Sequence, residues 1–386
     1  MLFLLILIIV ILISLETDIL GSTEYHTDFN ALFSKQQEKY LFDIKDEILI
    51  FKQTPHTISL NKIYSFPFIK YFFPISHLYK VYDEIKREKI EISNEPYTVK
   101  DIFLENTKFF WEHITLTKNH RGFYFTSLID YFQEECRLKC RRVNADTDFM
   151  EFFYLYKRKI EFTILGKKKS INYLNLIDEA FKLYEPCSEF NPVWLTNMIP
   201  IFEKHIGPIK NMLDMSAGRG ARMIACAAME INYLGIDPCE CTHEKYPLMK
   251  KFVKFCGSKS YVHFIRSGFE EDWIMPGFFK GKKFDLMFSS PPYFDLEIYE
   301  NNDKQSIDRF SSLENWLENF LKVCMRKILS LLRPGGIMAL NIDNPVHIKR
   351  DYINPLLKFE FEGAVFIGVI RIFRGAKFHT WCWQKK

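Results

Sequence analysis

The sequence predicts an α/β protein: a doubly wound sheet of seven mostly parallel strands over residues 191–386, preceded by a mainly helical domain over residues 22–190. From residue 191 onward, short apolar strands alternate with helical stretches, which is typical of a parallel sheet with helices on both faces. A glycine-rich turn follows the first strand. The last two strands have no long crossover between them, so we expect them to pair antiparallel at the end of the sheet.

The composition is that of a folded, globular chain. Hydrophobic residues make up 48% and charged residues 26% of the 386 residues, which excludes disorder for the bulk of the chain. At roughly 150 residues per domain, the length predicts two domains. A formal net charge of +4 neither demands nor excludes a nucleic-acid partner.

The first 21 residues differ from the rest and are excluded from the predicted fold. Residues 1–15 carry no charge and, apart from Ser14, are apolar. This run is shorter than the roughly 20 residues that span a bilayer. It also lacks the basic start and the clear cleavage site of a secretory signal. A membrane anchor, a cleaved signal and an extension outside the working protein all remain open.

Residues 22–190 are rich in aromatic and basic residues, and helical spacing of apolar residues predicts helices over Ile75–Lys89 and Phe125–Leu138. Basic clusters follow closely. They are compatible either with solvated helix faces or with a surface that contacts phosphates. The clusters are Arg137, Lys139, Arg141 and Arg142; Lys157, Arg158 and Lys159; and Lys167, Lys168 and Lys169.

The nine cysteines predict neither a disulfide framework nor a metal site. Cys136 and Cys140 are one helical turn apart, and Cys239 and Cys241 have no matching second pair, so neither spacing completes the four ligands of a structural zinc site. We expect reduced thiols in a cytoplasmic protein.

The alternation after residue 191 gives seven strands and three long helical stretches. The predicted strands are Asn211–Asp214, Tyr233–Asp237, Val262–Arg266, Phe284–Ser289, Ile337–Ile342, Val365–Phe373 and Thr380–Gln384. The predicted helices are Ala221–Ile231, Lys245–Phe255 and Leu313–Leu332.

The first two strands end in features of a nucleotide-binding sheet. Strand one ends at Asp214 and runs into a turn that contains Gly218 and Gly220, where a backbone can approach a ligand and a helix N-terminus offers N–H groups. Strand two ends at Asp237, where doubly wound sheets place a carboxylate on ribose hydroxyls. A third glycine and a Gly-Lys-Ser/Thr sequence are missing, which disfavours a dinucleotide or P-loop site.

The fourth strand runs directly into Ser290, Pro291, Pro292 and Tyr293 at its carboxyl end, where open α/β sheets bind ligands. The prolines fix φ and have no N–H, so this turn presents hydrogen-bond acceptors. We expect the Ser290 hydroxyl and the Pro291 carbonyl to accept from an exocyclic amine, and Tyr293 to stack on a base taken out of its helix.

The order of glycine turn, second-strand acid and Ser-Pro-Pro-Tyr tetrad resembles the class I S-adenosylmethionine-dependent amino-methyltransferases of adenine N6 and cytosine N4. The string from Ser290 to Tyr299 is similar to phage and large-DNA-virus members. The resemblance implies a Rossmann-like methyltransferase domain over residues 191–386, S-adenosyl-L-methionine as cofactor, no metal, and nucleic acid as substrate, with DNA favoured over RNA. The catalytic residues it implies are Ser290, Pro291, Pro292 and Tyr293. The cofactor-binding residues it implies are Asp214, Ser216, Ala217, Gly218, Gly220, Asp237, Phe269 and Glu270.

Other functions remain open. One is an RNA base methyltransferase with the same tetrad, and another is a catalytically silent partner subunit that binds nucleic acid. A protein glutamine methyltransferase usually has Asn at the first tetrad position. The polar loop from Phe294 to Phe310 is expected to gate substrate. We expect the protein in the cytoplasm, the nucleus or a viral factory, with membrane contact through residues 1–15 as an alternative.

Overall fold

The computed structural model describes residues 75–93, 113–115, 122–142, 145–169, 173–184, 186–299, 304–343, 353, 356, 361–374 and 376–386. The hydrophobic segment over residues 1–21 lies outside these residues, as does part of the loop expected to gate substrate. No helix within the described ranges combines the length and apolarity needed to cross a bilayer.

The elements before residue 191 are mostly helical, as predicted, with three short strands among them. In chain order they are α1 (Ile75–Arg87), β1 (Glu91–Ser93), β2 (His113–Thr115), α2 (Gly122–Lys139), β3 (Arg141–Arg142), α3 (Phe149–Gly166) and α4 (Tyr173–Leu183).

The elements after residue 191 alternate between helix and strand. The first are α5 (Pro192–Ile206), β4 (Asn211–Asp214), α6 (Ala221–Ala228), β5 (Asn232–Ile236), α7 (Glu240–Phe255), β6 (Val262–Ile265), β7 (Phe284–Ser289) and β8 (Glu297–Ile298). Then follow α8 (Ser306–Arg309), α9 (Leu313–Asn315), a π-helix (Trp316–Leu321), α10 (Lys322–Leu331), β9 (Leu332–Asn341), β10 (Ala364–Arg374) and β11 (Ala376–Lys385).

The predicted fold class is confirmed. The main sheet has the order β1-β2-β10-β11-β9-β7-β4-β5-β6, and its last seven members, from β10 to β6, are the seven predicted strands. β4, β5, β6, β7 and β9 pair in parallel, whereas β11 pairs antiparallel with both β9 and β10. The sequence did not predict that β1 and β2 extend the sheet beyond β10.

Apolar side chains cover both faces of the sheet, as a doubly wound arrangement requires. On one face, Leu213 and Met287 join a buried cluster that includes Trp316 of the π-helix. On the other face, the Phe288 ring contacts the ring of Phe202 in α5 at a centroid distance of 6.4 Å. Because side chains alternate along a strand, each central strand contributes to both layers.

Helices α1 and α2 pack on the helices of the sheet: α1 contacts α5 and α6, and α2 contacts α5 and α7. Their inward residues are fully buried, among them Leu78 and Leu128. Arg137 lies within this packing and is not part of a solvated basic face, because its Nε forms an ion pair of 2.7 Å with Asp130 and both side chains are buried. The expected role of Arg137 in a basic surface is therefore corrected.

The chain forms two compact units. One comprises residues 67–159 and 179–386, and it contains the whole main sheet; the other comprises residues 1–66 and 160–178. Residues on both sides of the expected domain boundary near residue 190 therefore belong to the same unit.

Candidate active site

The glycine turn and the tetrad meet where the strand order reverses. From β4 the chain continues outward to β5 and β6, and it then returns to β7 on the other side of β4. The carboxyl ends of β4 and β7 therefore flank the switch point of the sheet, which is where open α/β sheets bind ligands. Asp214 ends β4, and Ser289 ends β7.

Asp214 is enclosed by the chain. Its side chain is fully buried, and Oδ2 accepts hydrogen bonds from the Arg222 Nε and the Tyr233 hydroxyl, each at 2.7 Å. Oδ1 accepts from the Ser289 hydroxyl at 2.7 Å and from the Ser216 N–H at 3.2 Å. A carboxylate offers about four acceptor positions, and all are occupied here. Within the chain, Asp214 therefore holds the strand ends together, and its expected contact with a cofactor stays a prediction.

The glycine turn adopts backbone conformations that favour glycine. Gly218 has φ +55° and Gly220 has φ +88°, in the left-handed region that side chains with a Cβ rarely adopt. A Cβ on Gly220 would meet the Met249 side chain at 3.0 Å, whereas a Cβ on Gly218 would meet nothing closer than 3.8 Å. The buried Ala217 fixes the turn to the next strand, since its N–H donates to the Ile236 carbonyl at 2.9 Å.

Asp237 lies beside this turn and has acceptor capacity left. Its Oδ2 accepts from the Gly218 N–H at 2.7 Å, and its Oδ1 accepts from the Cys239 N–H at 2.9 Å. Each oxygen therefore keeps one acceptor position. The side chain is 7% exposed. Burial raises the pKa of Asp237 to about 6, and the two backbone hydrogen bonds limit that rise because they stabilise the charged form.

The tetrad forms the turn after β7. Ser290, Pro292 and Tyr293 are half-buried, and Pro291 is buried. The Tyr293 hydroxyl donates to the Asn341 carbonyl at 3.2 Å, which ties the ring to the end of β9. Burial raises the pKa of the Tyr293 hydroxyl, the negative charge of Asp343 raises it further, and a hydrogen bond from the Ser290 side chain opposes both.

The residue after the tetrad is strained. Phe294 has φ +52°, an uncommon conformation for a bulky residue and one that clusters at functional sites. Its ring is 5% exposed and contacts the Trp316 ring at a centroid distance of 6.0 Å. Packing of the ring against Trp316 therefore helps to hold this backbone conformation directly after the tetrad.

Ser216 links the glycine turn directly to the tetrad. Its hydroxyl lies 2.9 Å from the Ser290 carbonyl oxygen and 2.7 Å from the Ser289 Oγ. Ser289 uses its own proton on Asp214, so the single Ser216 proton serves one of these two acceptors at a time. The two sequence motifs, 73 to 74 residues apart, therefore form one continuous site.

The end of the third strand has other partners within the chain. Phe269 is 2% exposed and packs against the Trp273 ring at a centroid distance of 5.7 Å. Glu270 forms an ion pair of 2.7 Å with Arg309 of α8, and burial raises its pKa. The expected contacts of Phe269 and Glu270 with an adenine stay predictions.

Sequence reasoning missed Arg222, Tyr233 and Ser289, which surround Asp214. The Arg222 side chain is 6% exposed, and it also donates to the Ser216 carbonyl. It is the one charged residue in the otherwise apolar helix α6. A single charged residue in a buried apolar helix requires a buried counter-charge. The position of Arg222 in the sequence could therefore have indicated its ion pair with a buried acid.

Four of the nine cysteines form disulfides, so the expectation of reduced thiols throughout is wrong for them. Cys136 pairs with Cys241, and Cys140 pairs with Cys187, at Cα separations of 5.8 and 6.1 Å. The partners are 105 and 47 residues apart in sequence, and local spacing cannot reveal such pairings. Within the described residues, the ligand atoms of Cys140, Cys187 and Glu297 also lie within 4.8 Å of one another.

The sequence matches no protein-family model, and no curated protein matches it. Among solved structures, the N-methyltransferase NodS from Bradyrhizobium japonicum is 9% identical, with 50% of this chain and 94% of that one covered and a TM-score of 0.33. An rRNA methylase from Streptococcus thermophilus is 12% identical, with coverages of 52% and 99% and a TM-score of 0.33.

A third solved structure is the 16S rRNA N2 G1207 methyltransferase RsmC of T. thermophilus in complex with AdoMet and guanosine. It is 16% identical, and the TM-score is 0.33. The alignment covers 52% of this chain and 44% of RsmC, less than half of its length. At these TM-scores the likenesses carry no weight for function, and the chemistry has to follow from the residues of this chain.

Proposed function

We propose that this protein is an S-adenosylmethionine-dependent methyltransferase that acts on an exocyclic amine of a nucleic-acid base, cytosine N4 or adenine N6, with DNA favoured over RNA. The observation that carries the proposal is the Ser216 hydroxyl, which lies 2.9 Å from the Ser290 carbonyl. This contact supports the proposal because the glycine turn and the tetrad lie side by side at the switch point of the sheet, where open α/β sheets bind ligands.

The residues beside the glycine turn fit the cofactor. The two remaining acceptor positions of Asp237 suit the two hydroxyls of a ribose, and each would accept one O–H. A Cβ on Gly218 would have its nearest neighbour, the Ser216 carbonyl oxygen, at 3.8 Å. The space beside the Gly218 backbone is therefore open to a ligand. When bound, the cofactor supplies an electrophilic methyl group on a sulfonium.

The tetrad would present hydrogen-bond acceptors to the target amine. A hydrogen bond from the Ser290 side chain to the Tyr293 oxygen would use the Ser290 proton and leave its lone pairs available as acceptors. No donor from the described part of the chain reaches the Pro291 carbonyl. Two acceptors on the N–H groups of an exocyclic amine would localise the nitrogen lone pair and orient it for in-line attack. The proton can leave after methyl transfer, so no strong general base is needed.

The tetrad aromatic ring would hold the base. A target base inside a duplex is out of reach, so it must be extruded, and aromatic side chains stabilise it by stacking. Tyr293 is half-buried and fixed at its hydroxyl to the end of β9. A ring fixed at one edge offers a rigid stacking surface with little loss of side-chain entropy.

Product analysis tests the proposal. The purified full-length chain is incubated with S-adenosylmethionine labelled on the methyl group and with DNA or RNA, and the nucleosides are separated. Label in N4-methylcytidine or N6-methyladenosine, or in their deoxy forms, is the expected result. Ser290→Ala should abolish it, whereas the exposed Ser330→Ala is the matched control. Cofactor binding without transfer to either polymer would favour a silent partner subunit.

A further inference from the structure

Two disulfides start at the C-terminal end of α2, one from Cys136 in its last turn and one from Cys140 directly after it, and they lead to different parts of the candidate site. Cys136 is joined to Cys241 in the first turn of α7, and Cys140 is joined to Cys187 in the segment before α5. The other cysteines, Cys226, Cys239, Cys256, Cys324 and Cys382, are not disulfide-bonded. The cross-links are thus confined to the elements around the glycine turn and the tetrad.

The first disulfide lies against the loop that carries Asp237. The N–H of Cys239 donates to the Asp237 carboxylate at 2.9 Å, and α7 begins at the next residue. Gln133, one turn before Cys136 on α2, donates to the Thr242 carbonyl in the same first turn of α7 at 3.2 Å. A covalent bond and a buried hydrogen bond therefore fix α2 to the residues that position Asp237.

The second disulfide lies against a segment that touches both motifs. Glu189 forms an ion pair of 2.5 Å with Arg219 of the glycine turn, and both side chains are less than a tenth exposed. The N–H of Ser188 donates to Glu297 at 2.9 Å, and Glu297 follows the tetrad in the chain. Residues 187–189 therefore connect the glycine turn to the segment that follows the tetrad.

A strand pairing strengthens this connection. Directly after Cys140, β3 pairs antiparallel with β8, with Arg141 opposite Ile298 and Arg142 opposite Glu297. Cys140 and Cys187 are each 1% exposed, and Glu297 is 8% exposed. The disulfide therefore closes a buried contact between three segments that are distant in sequence.

We propose that the two disulfides at the C-terminal end of α2 form an oxidation-dependent clasp that positions the cofactor-binding turn, with Glu189 and Glu297 as its positioning residues. This inference rests on the proposed function. Each disulfide forms by exchange with an oxidant of the disulfide class, such as glutathione disulfide or a thiol–disulfide oxidoreductase. Two thiols lose two protons and two electrons as the S–S bond forms, and the oxidant's own S–S bond is reduced to two thiols.

The effect on the cofactor site follows from how the segments are held. Without the Cys140–Cys187 bond, residues 187–189 keep their polar contacts but lose the covalent link to α2. The Glu189–Arg219 ion pair then has to hold the glycine turn against a segment that is free to move. We therefore expect reduction to weaken cofactor binding before it unfolds the sheet. The buried apolar cluster around Trp316 contains none of the four disulfide-bonded cysteines.

The test uses the purified full-length chain in oxidised and reduced form. Thiol titration after denaturation should find five thiols in the oxidised protein, one for each cysteine outside the two disulfides, and four more after reduction. Calorimetry with S-adenosylmethionine should then show at least a tenfold higher Kd in the reduced protein, reversed on reoxidation with glutathione disulfide. Circular dichroism should show that the reduced protein remains folded.

Variants separate positioning from general stabilisation. The double variant Cys140→Ser/Cys187→Ser should have the weakened Kd in either redox state, whereas Cys256→Ser, at a half-buried unpaired cysteine, should behave as the wild type. Glu189→Gln should raise the Kd of the oxidised protein, and reduction should add little to that effect. Non-additivity of this kind is expected when two changes act through one contact.

Three results would overturn the clasp. One is nine thiols in protein purified without reductant. Another is an unchanged Kd in a reduced, folded protein. The third is one zinc ion per chain, which would make Cys140, Cys187 and Glu297 a metal site.

If the oxidised wild type neither binds the cofactor nor transfers methyl, the proposed function fails. The clasp is then judged by hydrogen exchange at the Ser188 and Gly218 amides, where an unchanged rate on reduction refutes it.

Discussion

Substitution of Asn for Asp should have different effects at Asp214 and at Asp237, the acids at the ends of β4 and β5. We expect a loss of stability at Asp214 and a loss of cofactor affinity at Asp237. Asp214→Asn replaces one acceptor oxygen by an NH₂ group, which then faces donors. With Oδ2 replaced, the Arg222 Nε and the Tyr233 hydroxyl, each 2.7 Å away, lose their acceptor. The buried guanidinium is left without its counter-charge.

The expected loss of stability is large. Removing one partner of a buried ion pair costs about 3–5 kcal/mol, and an orphaned buried hydroxyl costs roughly 1–3 kcal/mol more. A total of about 4–8 kcal/mol is a large part of the 5–15 kcal/mol that typically holds a domain together. Since Asp214 has no acceptor position left for a ligand, the substitution should act on the fold first and on cofactor binding only through it.

Asp237→Asn provides the control. Because burial raises the pKa of Asp237 from 3.8 to about 6, the ionised form costs the folded state roughly 3 kcal/mol. That cost is absent below about pH 4 and fully present above about pH 6. Asn is neutral, so the substitution removes the free-energy cost of a buried negative charge. This gain offsets the loss of one hydrogen bond from a backbone N–H to the replaced oxygen. The net change at neutral pH should be near zero, while cofactor affinity falls.

Urea denaturation followed by circular dichroism measures both free energies of unfolding, and calorimetry measures the cofactor Kd of each variant. We expect Asp214→Asn to be strongly destabilised, and Asp237→Asn to be as stable as the wild type but at least 100-fold weaker in cofactor binding. Equal stability losses in the two variants, or a loss below about 1 kcal/mol for Asp214→Asn, would refute the assignment of a structural acid and a ligand-binding acid.

Further predictions concern pH, the tetrad and the loop after it. Cofactor affinity should fall as the pH drops through about 6, because protonation removes an acceptor from Asp237, and calorimetry across pH should show no such step in Asp237→Asn. Tyr293→Ala should raise the KM for nucleic acid by the loss of about 1–3 kcal/mol of stacking, and Tyr293→Phe should largely restore it. Ser290→Ala should instead lower kcat with cofactor Kd unchanged, as steady-state kinetics would reveal. Arg309→Ala should free α8 from Glu270 and Glu271, and the hydrogen-exchange rate of α8 should rise.

The sheet could be predicted because its signal is local. The strands Asn211–Asp214 and Phe284–Ser289 have the predicted bounds, since each is a short apolar run that ends at a polar residue or a turn. The predicted helix Leu313–Leu332 contains a π-helical stretch, Trp316–Leu321. Periodicity could not reveal it, because an α-helix and a short π-helical stretch present similar apolar patterns.

The contacts that build the site could not be predicted in the same way. The sequence placed Asp214 and Asp237 at strand ends, and both lie there. It could not tell which acid is enclosed, because that depends on Arg222, Tyr233 and Ser289 arriving from three other elements. The disulfides are a similar case, since Cys136 lies in the last turn of α2 and Cys140 directly follows it, but their partners are brought to them by the tertiary fold.

The packing of α2 changes what the N-terminal region can do for a nucleic-acid substrate. Its residues Phe125, Leu128 and Phe132 are buried, and Arg137 is used within the helix on Asp130. The inward face of α2 is therefore occupied by packing and ion pairing within the chain, and it cannot contact a phosphate backbone. Contacts from this helix have to come from its outward residues, of which Lys139, with 55% of its side chain exposed, is one. Under the proposed function, α2 would support the cofactor site with its inward face, and only its outward face would be available to a nucleic-acid substrate.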